Sequence, residues 1–195
     1  MKAIGFKVRS GFAIAAIVRR SADGFVIEAV RKIMLSSEEL PQSRFPYHPT
    51  IELPEPKGAA LSDKAVKEVR RIAAQEMRKV LEEFDGIKRA AMVVGSVIDP
   101  DSLGNPHVRV HALEGKLFRE VVAAELQKRD IACGVLVERD AYSNAATDMA
   151  SAEPKLRAQI AALGQGHIKP WRAEEKLATL AAFWSMVPGE KKRGN

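Results

Sequence analysis

The period of the apolar residues changes once along this chain, and that change limits what the chain can fold into. Before residue 36, Ile4, Phe6 and Val8 alternate with Lys7 and Arg9. Phe12 to Val18 follows as an almost unbroken apolar run, and then Phe25, Ile27 and Ala29 are set against Glu28 and Arg31. Alternation with period two marks a half-buried strand, and a continuous apolar run marks a strand covered on both faces. Ser10-Gly11 and Ser21-Ala22-Asp23-Gly24 supply turns between the segments. The reading is an antiparallel meander whose third strand is Phe25 to Leu35. Beyond residue 62, Val66, Val69, Ile72, Ala73, Met77, Val80, Leu81 and Phe84 recur every three or four positions, which predicts an amphipathic helix. Between the two regimes, residues 36–62 hold five prolines, Pro41, Pro46, Pro49, Pro54 and Pro56. Proline lacks an N–H and fixes φ, so this stretch reads as an irregular excursion.

The remaining elements follow from the same arithmetic. Ser62 is placed as the N-cap of the first helix, which ends at Asp85-Gly86. Ala90 to Ile98 is a buried strand, residues 99–106 form a loop, and His107 to Arg129 is the second long helix. Ile131 to Val137 is a further buried strand. Asn144 to Met149 and the segment from Ser151 and Pro154 to Gly164-Gln165-Gly166 are helical. The last helix, Ala173 to Val187, buries Leu177, Leu180, Ala181 and Trp184. The order βββ-α-β-α-β-α-α predicts an α/β fold with a mixed five-stranded sheet. Three strands are antiparallel, two more are parallel, and helices cover both faces. Residues 1–187 make one domain, and residues 188–195 are expected to be a frayed basic tail.

Composition narrows the function classes without naming one. A hydrophobic content of 46% beside 29% charged residues excludes a disordered chain. The single Cys133 excludes a disulfide-held scaffold and points to a cytoplasmic setting. No run of eighteen apolar residues is present, so no membrane span is expected. The formal charge is +6, and residues 1–35 carry seven basic against two acidic groups. Lys7, Arg9, Arg19 and Arg20 of the first hairpin are therefore a candidate anion-binding surface for nucleic acid or an acidic protein. The alternative is that these cations solvate exposed strand positions. Aromatic content of 6% gives no base-stacking pair. The segment Arg44-Phe45-Pro46-Tyr47-His48-Pro49 is either a recognition loop or a cover over the core. The third strand is the expected sheet edge, which makes edge-paired homodimerisation an expectation.

The element order, with Ile4-Gly5-Phe6-Lys7-Val8-Arg9-Ser10-Gly11-Phe12-Ala13-Ile14 at its start, resembles the ribonuclease H-like superfamily over about residues 2–187. That superfamily houses Holliday-junction resolvases, transposases and actin-like ATPases. In it, a Gly-hydrophobic-Asp triplet opens the first hairpin, and the aspartate anchors a divalent metal. Here Lys7 stands at that position, and an ammonium cannot ligate a hard cation. The resemblance thus implies a core without the usual metal site, acting as a binding or assembly module. No cofactor is expected.

Two alternatives stay open: a divergent metal-dependent phosphoester hydrolase, and nucleic-acid binding without catalysis. For the hydrolase, Asp99, Asp101, His107 and Glu114 are the candidate catalytic residues. His107, His111 and Glu114 fall at i, i+4 and i+7 on one helix face and are the candidate divalent-metal ligands. Turn formation, capping and solvation are the competing roles for this set. The resemblance also implies that the last helix supplies a carboxylate, which points to Glu174 and Glu175; their competing role is to complement the helix dipole. Cys133 reads as packing, and Gly95-Ser96-Val97 lacks the second glycine of a nucleophile elbow.

Overall fold

The computed structural model describes residues 1–22 and 24–187. Asp23 of the second turn and the expected tail lie outside the described residues. The five strands are β1 (Lys2–Arg9), β2 (Phe12–Ser21), β3 (Gly24–Met34), β4 (Ile87–Val94) and β5 (Cys133–Val137). They form one sheet in the order β3-β2-β1-β4-β5. β1 pairs antiparallel with β2 and parallel with β4, β2 pairs antiparallel with β3, and β4 pairs parallel with β5. This is the mixed five-stranded sheet expected from the sequence, with β3 at an edge. The β1–β2 turn spans only Ser10 and Gly11, and Gly11 adopts φ 83°, a conformation open to glycine at little steric cost.

The helices are α1 (Pro49–Glu52), α2 (Lys57–Glu83), α3 (Pro106–Gln127), α4 (Ala141–Asp148), α5 (Glu153–Gly164) and α6 (Ala173–Ser185). Period two in β1 sorts its side chains between the two faces. Ile4, Phe6 and Val8 join Val69, Ala73 and Met77 of α2 and Phe118 and Val122 of α3 in one core. On the opposite face, Ala91 and Val93 of β4 pack with Leu156 and Ile160 of α5 and Leu180 and Trp184 of α6. Ala13 to Val18 are buried without interruption, as a strand covered on both faces requires. No helix among the described residues is long and apolar enough to cross a membrane.

Several boundaries differ from the sequence reading, and three of the differences matter here. Helix α2 starts at Lys57, and Ser62 is a buried interior residue rather than its N-cap. Pro56 directly precedes the first helical residue, where a missing N–H costs nothing. The proline-rich stretch therefore contains the 3₁₀ turn Pro41–Arg44, α1 and the first turn of α2 instead of being irregular throughout. β4 begins at Ile87 and ends at Val94, so residues 95–98 belong to the loop.

The approach of α6 fixes the site described below. An idealised Cβ on Gly5 would lie 2.0 Å from the Ala178 carbonyl oxygen and 2.2 Å from the Ala182 backbone nitrogen. Helix and strand backbones thus meet where the strand has no side chain. Residues Leu177 to Ser185 of α6 are all buried. With Gly5 flat against α6, Lys7 two positions further on faces the same layer.

Candidate functional site

Lys7 has no exposed surface at all. Its Nζ donates to Glu138 Oε2 at 2.9 Å, from the short 3₁₀ turn after β5. Burial depresses the Lys7 pKa below its ordinary 10.5, and the Glu138 hydrogen bond opposes that shift. Arg9, at the end of β1, donates from Nε to Glu174 Oε1 at 3.0 Å and from its terminal nitrogens to both Glu138 oxygens at 3.4 Å. Two cations and two carboxylates thus close on one another at the carboxyl ends of β1 and β5 and the amino end of α6. Glu175 turns elsewhere: its carboxylate accepts the Arg172 backbone N–H at 2.8 Å and caps α6.

A second cluster gathers around Glu114. This residue of α3 is fully buried. Its Oε1 accepts from His48 Nδ1 at 2.8 Å and from the Tyr47 backbone N–H at 3.4 Å. Its buried Oε2 has no hydrogen-bond partner, and His111 Nδ1 stands 3.6 Å from it. The Nε2 atoms of His107 and His111 are 3.2 Å apart, and His48, His107 and His111 each offer a nitrogen within 4.8 Å of the others. The proline-rich stretch packs residues 41–52 against α2, and from there Tyr47 and His48 reach Glu114 of α3.

The structure keeps His107, His111 and Glu114 together and adds His48 to them. Glu114 lies on the Nδ1 side of His48 and His111, while His107 contacts His111. Asp99 and Asp101 stay in the preceding loop. Asp99 Oδ1 accepts the Asp101 N–H at 3.1 Å, and Asp101 pairs with Arg109 at 2.5 Å. Asp99 thus caps the short 3₁₀ turn that follows it, and Asp101 is held in an ion pair. Tyr47 packs against the core while Phe45 remains exposed, so the aromatic loop does cover the core and also delivers His48.

The first-hairpin cations do not make one basic patch. Lys7 is buried, and Arg9 is tied to carboxylates. Arg19 pairs with Glu28 at 2.8 Å at the other end of the hairpin, where Lys2 faces Arg19 in the β1–β2 register. Lys2 also pairs with Glu28, at 2.9 Å, and Arg31 pairs with Glu83 at 2.6 Å. Arg20 is exposed beside Arg19.

No protein-family model matches the sequence, and no curated protein matches it. Solved structures do. RuvC from Thermus thermophilus aligns over 94% of this chain and 92% of its own, with a TM-score of 0.57 and 10% sequence identity. RuvC from the same organism in complex with a Holliday junction substrate aligns over the same shares, with a TM-score of 0.58 and 10% identity. Its fold is ribonuclease H-like. The position at which the sequence resemblance places a metal-anchoring aspartate is Lys7, which pairs with Glu138, while Arg9 links Glu138 to Glu174. The residues here do not fit a divalent metal at that point, because the Lys7 ammonium and the Arg9 guanidinium already neutralise both carboxylates. Separately, a groove of about 190 Å³ at the ends of β1 and β4 is lined by Arg9, Ser10, Ser96, His111 and Phe118 among others. It lies where ligands bind in open α/β sheets, and it adjoins both clusters.

Cys133 belongs to neither cluster. Burial pushes its thiol from an ordinary 9.0 up to about 12. At about pH 8.5 the thiolate fraction is then smaller by a factor on the order of hundreds. Iodoacetamide labelling of the folded protein is expected to be slower by a similar factor than labelling in urea. Equal rates in the two conditions would contradict this assignment.

Proposed function

We propose that this chain is a nucleic-acid-binding protein on a ribonuclease H-like core, and that its first-strand metal site has been replaced by an internal ion-pair network. The observation that carries the reading is the buried Lys7–Glu138 contact, with Arg9 bridging Glu138 and Glu174. Two-metal phosphodiester chemistry requires carboxylates free to share cations, and these are already occupied. The net charge of +6 suits an anionic partner, and the likeness to RuvC, solved with a Holliday junction substrate, favours nucleic acid over an acidic protein.

A second reading has its own observation. His48, His107 and His111 offer convergent nitrogens beside the groove, which favours a metal-dependent phosphoester hydrolase working away from the Lys7 position. One experiment separates the two readings. Fluorescence anisotropy is run on a four-way DNA junction and on a duplex of equal length, at low and at physiological salt, with a parallel cleavage assay. Release of counterions from phosphates makes affinity fall at least about tenfold between the two salts. The binding reading expects that fall and intact DNA. Undetectable binding at low salt eliminates it. Cleavage that is lost in His107→Ala replaces it with the second reading.

A further inference from the structure

The geometry points to a zinc site formed by the imidazoles of His48, His107 and His111, with Glu114 as the buried carboxylate that orients them. This assignment is independent of whether the chain binds nucleic acid.

Four observations converge on it. The first is spacing. Two nitrogens on one tetrahedral zinc, at bonds of 2.0–2.1 Å, lie about 3.3 Å apart. His107 Nε2 and His111 Nε2 stand 3.2 Å apart, and the three nitrogens all lie within 4.8 Å of one another. Reaching ligand spacing takes a ring movement of at most about 1.5 Å, within the reach of a side-chain adjustment at a surface site.

The second is orientation. Metal-bound histidine usually donates its other ring N–H to a carboxylate or carbonyl, which fixes the tautomer. His48 donates from Nδ1 to Glu114 at 2.8 Å, and His111 directs Nδ1 at the same carboxylate. A hydrogen on each Nδ1 leaves a lone pair on each Nε2, and Nε2 of His111 is the atom that faces His107.

The third is electrostatic. A fully buried carboxylate is costly without a counter-charge and without donors on both oxygens. Glu114 has donors on Oε1 and none on Oε2. A dication held by the three imidazoles supplies the charge. Ligation through His111 Nε2 also fixes a proton on the Nδ1 that already faces Oε2.

The fourth is ligand chemistry. Three neutral imidazoles select borderline transition metals over magnesium or calcium, which prefer oxygen. Three protein ligands leave one tetrahedral position for water or an anionic oxygen. His107 and His111 are exposed, so that position is reachable from solvent.

The test uses the untagged full-length chain and zinc ions alone, measured by competition with a chromophoric chelator. Cobalt(II) serves as a spectroscopic substitute and magnesium as the comparison metal. One zinc per chain is expected, together with the intense visible absorption of four-coordinate cobalt and no competition from magnesium. His107→Ala, at an exposed position that does not threaten folding, should abolish stoichiometric binding. Glu114→Gln should weaken it about 10- to 100-fold while retaining one site. Circular dichroism confirms that each variant is folded. Wild-type protein that leaves zinc with the chelator overturns the assignment, as does zinc binding that is unchanged in His107→Ala. Neither outcome bears on nucleic-acid affinity, which the anisotropy experiment measures separately.

Discussion

Gly5→Ala is expected to destabilise the protein by about 3 kcal/mol or more, at or beyond the upper end of what overpacking usually costs. The added methyl would meet the Ala178 carbonyl oxygen at 2.0 Å and the Ala182 nitrogen at 2.2 Å. Both atoms are helix backbone and cannot rotate away. Relief requires α6 to lift from β1, which exposes a layer in which Leu180 and Phe183 are buried. For a chain of this size the loss corresponds to a fall in Tm of roughly 6–12 °C. Trimming the facing side chain with Ala182→Gly should not restore stability, because the obstruction is main chain. Gly104→Ala is the control: a Cβ there meets nothing within 4 Å. A Gly5→Ala protein that melts within a degree or two of wild type would show that α6 does not sit as described.

The second large effect is expected from Glu138→Ala. This change removes the partner of a buried ammonium. Breaking a buried pair by deleting one member costs about 3–5 kcal/mol. Because Glu138 is 33% exposed, solvent screening brings the expected loss below that range, to about 2–3 kcal/mol. The sign of the pH dependence follows from Lys7. Its folded pKa lies below the ordinary 10.5, with burial the leading cause, and removing the opposing Glu138 hydrogen bond depresses it further. Between the folded and unfolded values the unfolded chain holds more protons, so the contribution of Lys7 to stability rises with pH across that window. The deficit of Glu138→Ala relative to wild type is therefore largest near neutrality and shrinks as pH approaches 10.5. Comparing variant with wild type cancels titrations common to both. Urea unfolding at about pH 7 and pH 9.5 measures it, and the double variant Lys7→Met with Glu138→Ala should recover most of the loss. A deficit equal at both pH values would remove Lys7 as its origin.

Much of the architecture was legible in the sequence because it rests on local period. Alternation in β1, the unbroken run in β2 and the three-to-four spacing of α2 each encode a burial pattern that holds whatever the element packs against. Proximity between distant segments has no such local signature. Glu138 is one acidic residue after a short strand, and it reaches Lys7 only because β5 lies one strand beyond β4. His48 sits among prolines with no period, and only the packing of residues 41–52 on α2, which carries His48 to Glu114, gives it company. Glu114 falls on one helix face with His107 and His111, as the spacing predicts, and its contacts run to His48 and His111. Sequence spacing shows that three residues share a helix face, but not which atom of each turns toward its neighbour. Ser62 misled for a related reason: capping chemistry was read where burial was in force.

The contact between Lys7 and Glu138 also changes what sustains the site. A charge brought by an ion depends on supply, can be stripped by a chelator and can be exchanged for a competing metal. Here the positive charge is synthesised with the polypeptide and held by its own backbone. It is present at fixed stoichiometry from the moment the sheet forms, under metal starvation as under plenty.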